Sequence, residues 1–219
     1  MKYILVPGGW QGAWAFDAVT AELRSAGHEA EAITLSGLDD DRPPVPPNLT
    51  THITQLTDLI AGVEGPLTLC GHSYAGLVIA GAAARLPERL THLVFIDAYV
   101  PTDGDSCWSL TTDTFRNLFI TGAHPDGRWV AVPEGMDPRA RPHPLPSFLQ
   151  SITLPPPTTP PYARTFISGG DWPGTPFTAL AARLRNDATW NFHEIPVGHN
   201  IARRDPSALA AVLDALPPH

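Results

Sequence analysis

LTLCGHSYAGLVIAGAAARL, Leu67 to Leu86, is the stretch on which the fold turns. The apolar run Leu67-Thr68-Leu69-Cys70 predicts a buried strand, and the small, helix-forming run from Tyr74 to Leu86 predicts a helix. Between them, Gly71-His72-Ser73-Tyr74-Ala75-Gly76 leaves no room for a loop. Strand passes straight into helix, as in a parallel sheet with helical crossovers. A serine in so sharp a turn is pushed out of the sheet edge onto the N-terminus of the following helix. Small neighbours are needed because the backbone is crowded there. The free N–H groups and positive dipole end of the helix favour an anion forming beside the hydroxyl.

The same alternation extends in both directions. Tyr3 to Val6 predicts a buried strand ended by Pro7-Gly8-Gly9. A helix is expected from Phe16 to Ser25, stopped by Gly27, then a strand from Ala30 to Leu35. Ile53, Leu56 and Ile60 fall at helical spacing within Leu49 to Ala61, and Leu90 to Ile96 is another strand. Between Pro101 and Pro161 the pattern breaks into a proline-rich span containing Leu154-Pro155-Pro156-Pro157, where long helices are not expected. Excursions of this length in compact domains tend to serve function. Residues 101–161 are therefore read as a lid whose Phe115, Leu118, Phe119 and Phe148 line a pocket. Alternation resumes with strands over Arg164 to Ser168 and Thr189 to Ile195, and helices over Phe177 to Arg185 and Ser207 to Leu216. The expected fold class is α/β, a mostly parallel sheet flanked by helices, in one domain spanning 1–219.

Composition narrows the function. Of 219 residues, 43% are hydrophobic and 16% charged, a globular balance. The net charge is −8, with 22 acidic against 14 basic residues and no Lys/Arg run, which disfavours nucleic acid and anionic membranes as partners. The two cysteines, Cys70 and Cys107, make no disulfide framework. With no apolar run of about 18 residues and no signal-peptide pattern, a cytoplasmic location is expected. No metal-ligand spacing and no phosphate-cradling G-x-G-x-x-G occurs, so no metal or cofactor is expected. Oligomeric state is not legible, and the expected partner is a small-molecule substrate.

Gly71-His72-Ser73-Tyr74-Ala75 resembles the nucleophile elbow of the α/β-hydrolases, with alanine where the usual pattern has glycine. Val6-Pro7-Gly8-Gly9-Trp10-Gln11-Gly12-Ala13-Trp14 is similar to the His-Gly-x-x-x-Gly-x-Trp segment of one branch, which holds small carboxylesterases, plant methyl esterases and hydroxynitrile lyases; proline replaces the histidine. Phe95 to Pro101 and Gly198-His199-Asn200 resemble the same branch. The likeness covers both flanks of the chain and fails in the span 101–161. It implies the α/β-hydrolase fold and a serine hydrolase acting through an acyl-enzyme on a small ester, lactone or thioester.

A serine needs a base in reach and a third group to orient that base. The family's chain order is serine, acid, histidine, which implies Ser73 as nucleophile and His199 as base. Two aspartates stand at strand ends. Asp171, 28 residues before His199, occupies the position the resemblance implies for the acid; Asp97 is the alternative, one strand earlier. The oxyanion donors would be the N–H groups of Tyr74 and Gly9, where glycine lets the backbone approach the substrate. Trp10, Tyr74, Trp108, Phe148 and Trp172 are expected to wall the pocket. His28, His52, His92, His124, His143 and His219 are assigned to helix ends, loops or tails without catalytic context, His193 to a strand, and His72 to a structural role. The branch's lyases carry a lysine beside the base. Here Asn200 stands in that position and the only lysine is Lys2, which favours hydrolysis. A lyase, cyclase or decarboxylase using the same triad for proton transfer, and a non-catalytic small-molecule receptor, are the alternatives.

Overall fold

In a computed structural model of the protein, which describes residues 1–40, 42–123, 126–156 and 159–217, the alternation becomes a six-stranded parallel sheet. His124 and His219, and Pro157 of the proline run, lie outside the described residues. The elements run β1 (Lys2–Val6), α1 (Asp17–Ser25), β2 (Glu29–Ala32), α2 (Leu49–Gly62), β3 (Leu67–His72), α3 (Ala75–Arg85) and β4 (Leu90–Ile96). The excursion follows as α4 (Cys107–Leu110), α5 (Asp113–Ala123), β5 (Trp129–Val130), β6 (His143–Pro144) and α6 (Leu145–Leu149). The chain then returns through β7 (Ala163–Ser168), α7 (Thr178–Arg185), β8 (Asn191–Glu194), α8 (Ile201–Arg204) and α9 (Pro206–Asp214). The sheet order is β2-β1-β3-β4-β7-β8, with β5 and β6 pairing separately as an antiparallel ribbon.

Both faces of the sheet are covered, so the strands are apolar on both sides and successive residues feed two cores. Tyr3, Leu5, Cys70, Val94, Ile96 and Ile167 pack into one core, closed by Val19 and Leu23 of α1 and Leu209 and Leu213 of α9. Ile4, Val6, Leu69, Leu93, Phe95 and Phe166 pack into the other, closed by α2, α3 and the excursion. Helix ends follow local chemistry. Asn48 accepts from the Thr51 N–H to start α2, and Asp205, followed by Pro206, accepts from the Ala208 N–H to start α9.

Three expectations are corrected. The excursion contains a three-turn helix, α5, because its prolines lie outside Asp113–Ala123 and leave the interior intact. The second strand ends at Ala32 instead of Leu35, since β1 stops pairing there; the Ile33 N–H still bonds the Leu5 carbonyl before the chain turns away. The grouping of His92 with helix ends, loops and tails gives way to its place inside β4, the strand expected over Leu90 to Ile96. Among the described residues, no helix is long and apolar enough to cross a membrane.

Candidate active site

The serine turn is built as its sequence demands. Ser73 leaves β3 at φ +55, a left-handed conformation costly for a residue with a Cβ. Its N–H bonds the Ile96 carbonyl (3.3 Å), and its carbonyl accepts from Tyr99 (3.2 Å) and Gly76 (3.0 Å), so the end of β4 grips the turn. Gly76 is the small residue that the geometry cannot replace. A Cβ there would stand 2.0 Å from the Tyr99 carbonyl oxygen. Ala75, the departure from the family pattern, is fully buried without disturbing the turn.

Among the described residues, three non-glycine positions have positive φ: Trp10 (+63°), Ser73 (+55°) and Asp97 (+42°). All three meet at one end of the sheet. Ser73 Oγ lies 3.0 Å from His199 Nε2, and His199 Nδ1 lies 2.7 Å from Asp97 Oδ2. With Nδ1–H donated to the carboxylate, Nε2 is left to accept the serine proton. Asp97 is fully buried and takes two further hydrogen bonds, from the Gly169 N–H to Oδ1 and the Trp172 indole N–H to Oδ2, each 3.0 Å.

Asp171, the expected acid, is not at His199. It is exposed, and its Oδ1 accepts from Thr178 Oγ1 at 3.1 Å. The cause is the preceding turn. Gly170 takes φ +75 and carries Asp171 outward, bringing the Trp172 indole inward onto Asp97. Glycine is also required at 169, where a Cβ would lie 2.7 Å from the Gly198 carbonyl oxygen and 3.2 Å from Asp97 Cγ.

His72 braces His199. Its Nε2–H donates to the His199 carbonyl at 2.9 Å, and the two rings stand 4.5 Å apart. Burial, and then the neighbouring His199, push its pKa down to about 3, so it stays neutral. Gly8 makes room for this ring: a Cβ there would lie 2.8 Å from His72 Nδ1 and 2.9 Å from Ser73 Cβ.

Ser73 opens into a cavity of about 190 Å³. Gly9 and Tyr74 line it beside the serine, Phe115, Leu118, Phe119 and Phe148 line it from the excursion, and Trp10, Trp172 and Phe177 add aromatic walls. Trp108 is not a wall; it lies under the Arg116 guanidinium, 6.0 Å from the ring centroid. Tyr99, Cys107 and Phe177 also face the cavity and carry no local sequence signal beyond being apolar. No Lys, Arg, Asp or Glu lines it among the described residues. Its polar edge is Gln11 and Asn200, joined by Gln11 Nε2–H to Asn200 Oδ1 at 3.0 Å. A larger depression of about 700 Å³, lined by Ser36, Asp39, Thr51 and Gln55, shares no residue with this cavity and is open to solvent. Among the described residues, no group of three or more His, Cys, Asp or Glu gathers to hold a metal.

Two histidines assigned to loops and ends have structured roles beside this cavity. His52 in α2 donates Nε2–H to the Ser36 carbonyl (3.0 Å) and accepts the Tyr74 hydroxyl at Nδ1 (2.9 Å); burial lowers its pKa to about 4. His143 in β6 accepts the Trp10 N–H at 3.2 Å. A histidine at either position looks like any other in sequence, because most of its hydrogen-bond partners lie 16 to 133 residues away.

Comparison with known proteins agrees with this architecture. A carbendazim-hydrolyzing esterase from Nocardioides sp. (strain SG-4G) is 29% identical over 98% of this chain and 99% of its own length. Esterase PIR7B of Oryza sativa subsp. japonica is 33% identical over 59% of this chain and 50% of its own. The solved structure of an extracellular α/β-hydrolase from a Paenibacillus species superposes with a TM-score of 0.81 at 20% identity, covering 97% of each chain. The family model for the alpha/beta hydrolase family matches residues 3–219, and the chain belongs to that family.

Proposed function

We propose that the protein is a serine esterase that cleaves a small, uncharged ester, lactone or thioester through an acyl-enzyme. One observation carries this reading: the unbroken relay Ser73 Oγ to His199 Nε2 to Asp97, at 3.0 and 2.7 Å, opening into a largely apolar cavity. His199 takes the Ser73 proton as the oxygen attacks the acyl carbonyl, and Asp97 stabilises the imidazolium so formed. The Gly9 and Tyr74 N–H groups receive the oxyanion; Tyr74 stands at the N-cap of α3, where helix N–H groups lack intrahelical partners. His199 then protonates the departing alcohol or thiol. A water, deprotonated by the same imidazole, releases the acid.

Size and charge of the cavity set the substrate class. An engineered apolar cavity of about 150 Å³ holds benzene. The 190 Å³ here therefore suits a short aliphatic or single-ring acyl group. With no Lys, Arg, Asp or Glu side chain among the described residues lining the cavity to meet it, a substrate carboxylate or ammonium would lose its hydration uncompensated. The named esterases among the relatives support ester hydrolysis. Residues 101–161 serve as the lid in this reading, since α5 and α6 form the far wall.

The test pairs labelling with turnover. A fluorophosphonate probe is expected to modify Ser73, and p-nitrophenyl acetate to be hydrolysed with release of acetate; Ser73→Ala abolishes both. Labelling without acid release from any neutral ester would redirect the reading to a non-hydrolytic use of the triad. Absence of labelling in folded protein would end it.

A further inference from the structure

The turn Gly8-Gly9-Trp10 carries one of the two oxyanion donors assigned above, and it contains a strained residue. A left-handed tryptophan persists only if its surroundings over-determine it. All three polar groups of Trp10 are met by the excursion between β4 and β7. Its N–H donates to His143 Nδ1 (3.2 Å), its indole N–H to the Val130 carbonyl (3.1 Å), and its carbonyl accepts from the Arg141 N–H (2.9 Å). A segment distant in sequence thus clamps the turn beside Ser73.

Within this clamp, His143 has a fixed tautomer. The Ser147 hydroxyl donates to the Pro144 carbonyl (2.8 Å), so its oxygen accepts the His143 Nε2–H (2.8 Å). The Nδ1 lone pair is left for the Trp10 N–H. The ring is fully buried, and it touches both sides of the oxyanion site. It stacks on Phe148 at 3.9 Å and 8°, and Phe148 Cζ comes within 3.2 Å of where a Gly9 Cβ would stand. On its other side, the ring of Tyr74 meets it edge-on at 4.8 Å.

We propose that His143 is a positioning residue for the oxyanion hole: by fixing the Trp10 N–H and bracing Tyr74 and Phe148, it keeps the Gly9 and Tyr74 N–H groups aimed at one point. The excursion then completes the catalytic apparatus as well as covering the pocket. This inference rests on the oxyanion assignment of the proposed function.

The test separates positioning from mere packing. In His143→Leu the acceptor is gone; in His143→Asn, Oδ1 stands near the former Nδ1. Loss of one complete oxyanion donor costs about 10²–10³ in kcat, so misaiming one is expected to cost His143→Leu about 10- to 100-fold in kcat per titrated serine, with KM within about threefold. Affinity for a trifluoromethyl ketone that forms a tetrahedral adduct with Ser73 should fall by the same factor. His143→Asn should recover to within about fivefold of the parent. A His143→Leu enzyme within about twofold of the parent in kcat per titrated serine, or an Asn variant no better than Leu, overturns the proposal. Should the variants not fold, ¹⁵N NMR of the parent decides: the proposal requires His143 as the Nε2–H tautomer with a hydrogen-bonded Trp10 amide, and a protonated Nδ1 refutes it. If Ser73→Ala leaves labelling and turnover intact, the functional reading fails instead, whatever the NMR reports.

Discussion

Asp97→Asn, set against Asp171→Asn, tests the assignment of the acid most sharply. Every partner of the Asp97 carboxylate is a donor: Gly169 N–H on Oδ1, and Trp172 Nε1–H and His199 Nδ1–H on Oδ2. An asparagine amide must turn its NH₂ on one of these positions. Facing His199, it forces the other tautomer and leaves Nε2 protonated, unable to accept from Ser73. Facing Gly169, it keeps the tautomer but removes the negative charge that stabilises the imidazolium. Two unit charges about 4 Å apart at an effective dielectric of about 20 interact by about 4 kcal/mol, which is about 10³ in rate. The tautomer penalty adds to this, and an aspartate-to-asparagine change behind a catalytic histidine costs on the order of 10⁴ in kcat in a well-studied triad. We therefore expect Asp97→Asn to lower kcat/KM for p-nitrophenyl acetate by about 10³–10⁴ while the protein remains folded by near-ultraviolet circular dichroism. Asp171→Asn, which loses only the exposed contact to Thr178, should stay within about threefold of the parent. Equal losses in the two variants, or an Asp97→Asn enzyme keeping a tenth or more of its activity, would refute the reasoning.

Further expectations follow from the same geometry. Gly76→Ala places a methyl carbon 2.0 Å from the Tyr99 carbonyl oxygen, and overpacking of this kind costs about 1–3 kcal/mol or more, so the urea midpoint should drop clearly; an unchanged midpoint would contradict the close approach. Stability should fall on mild acidification. His52 and His72 have folded pKa values lowered to about 4 and 3, below the unfolded value of about 6.5, so between these limits the unfolded chain binds more protons and stability declines as pH falls. At about pH 5 each contributes a loss on the order of 2 kcal/mol relative to pH 8, and buried His143 acts in the same direction; urea unfolding that is flat or strengthening across this range would contradict their neutral burial. Phe119→Ala opens the wall that stacks on Phe148 at 4.3 Å, and should shift the kcat/KM ratio of naphthoate to acetate esters upward by about tenfold; a constant ratio would show that the acyl group lies elsewhere.

Much of this was readable from residues 67–86 and the alternation around them, because a strand running directly into a helix is local chemistry. Backbone crowding, small side chains and a free helix N-terminus all lie within ten residues of Ser73. The excursion was less legible. Proline content foretold irregularity, but a helix needs only one proline-free interval, and Asp113–Ala123 supplies it. The aspartate that meets His199 shows where local reading stops. Asp97 and Asp171 each follow a strand of the same sheet, and in the register of β4 and β7 residues Ile96 and Ile167 are side by side. Asp97 comes at once after Ile96, whereas Ser168, Gly169 and Gly170 intervene before Asp171. The two carboxylates therefore leave the sheet at different heights, and the first to emerge is level with the Gly169 N–H that it accepts. Once Gly170 turns at positive φ, the second carboxylate is directed to solvent and the next side chain, Trp172, is delivered to the first. Spacing along the chain measures neither height nor direction. Only the register of two parallel strands and the handedness of one glycine decide which aspartate the imidazole meets.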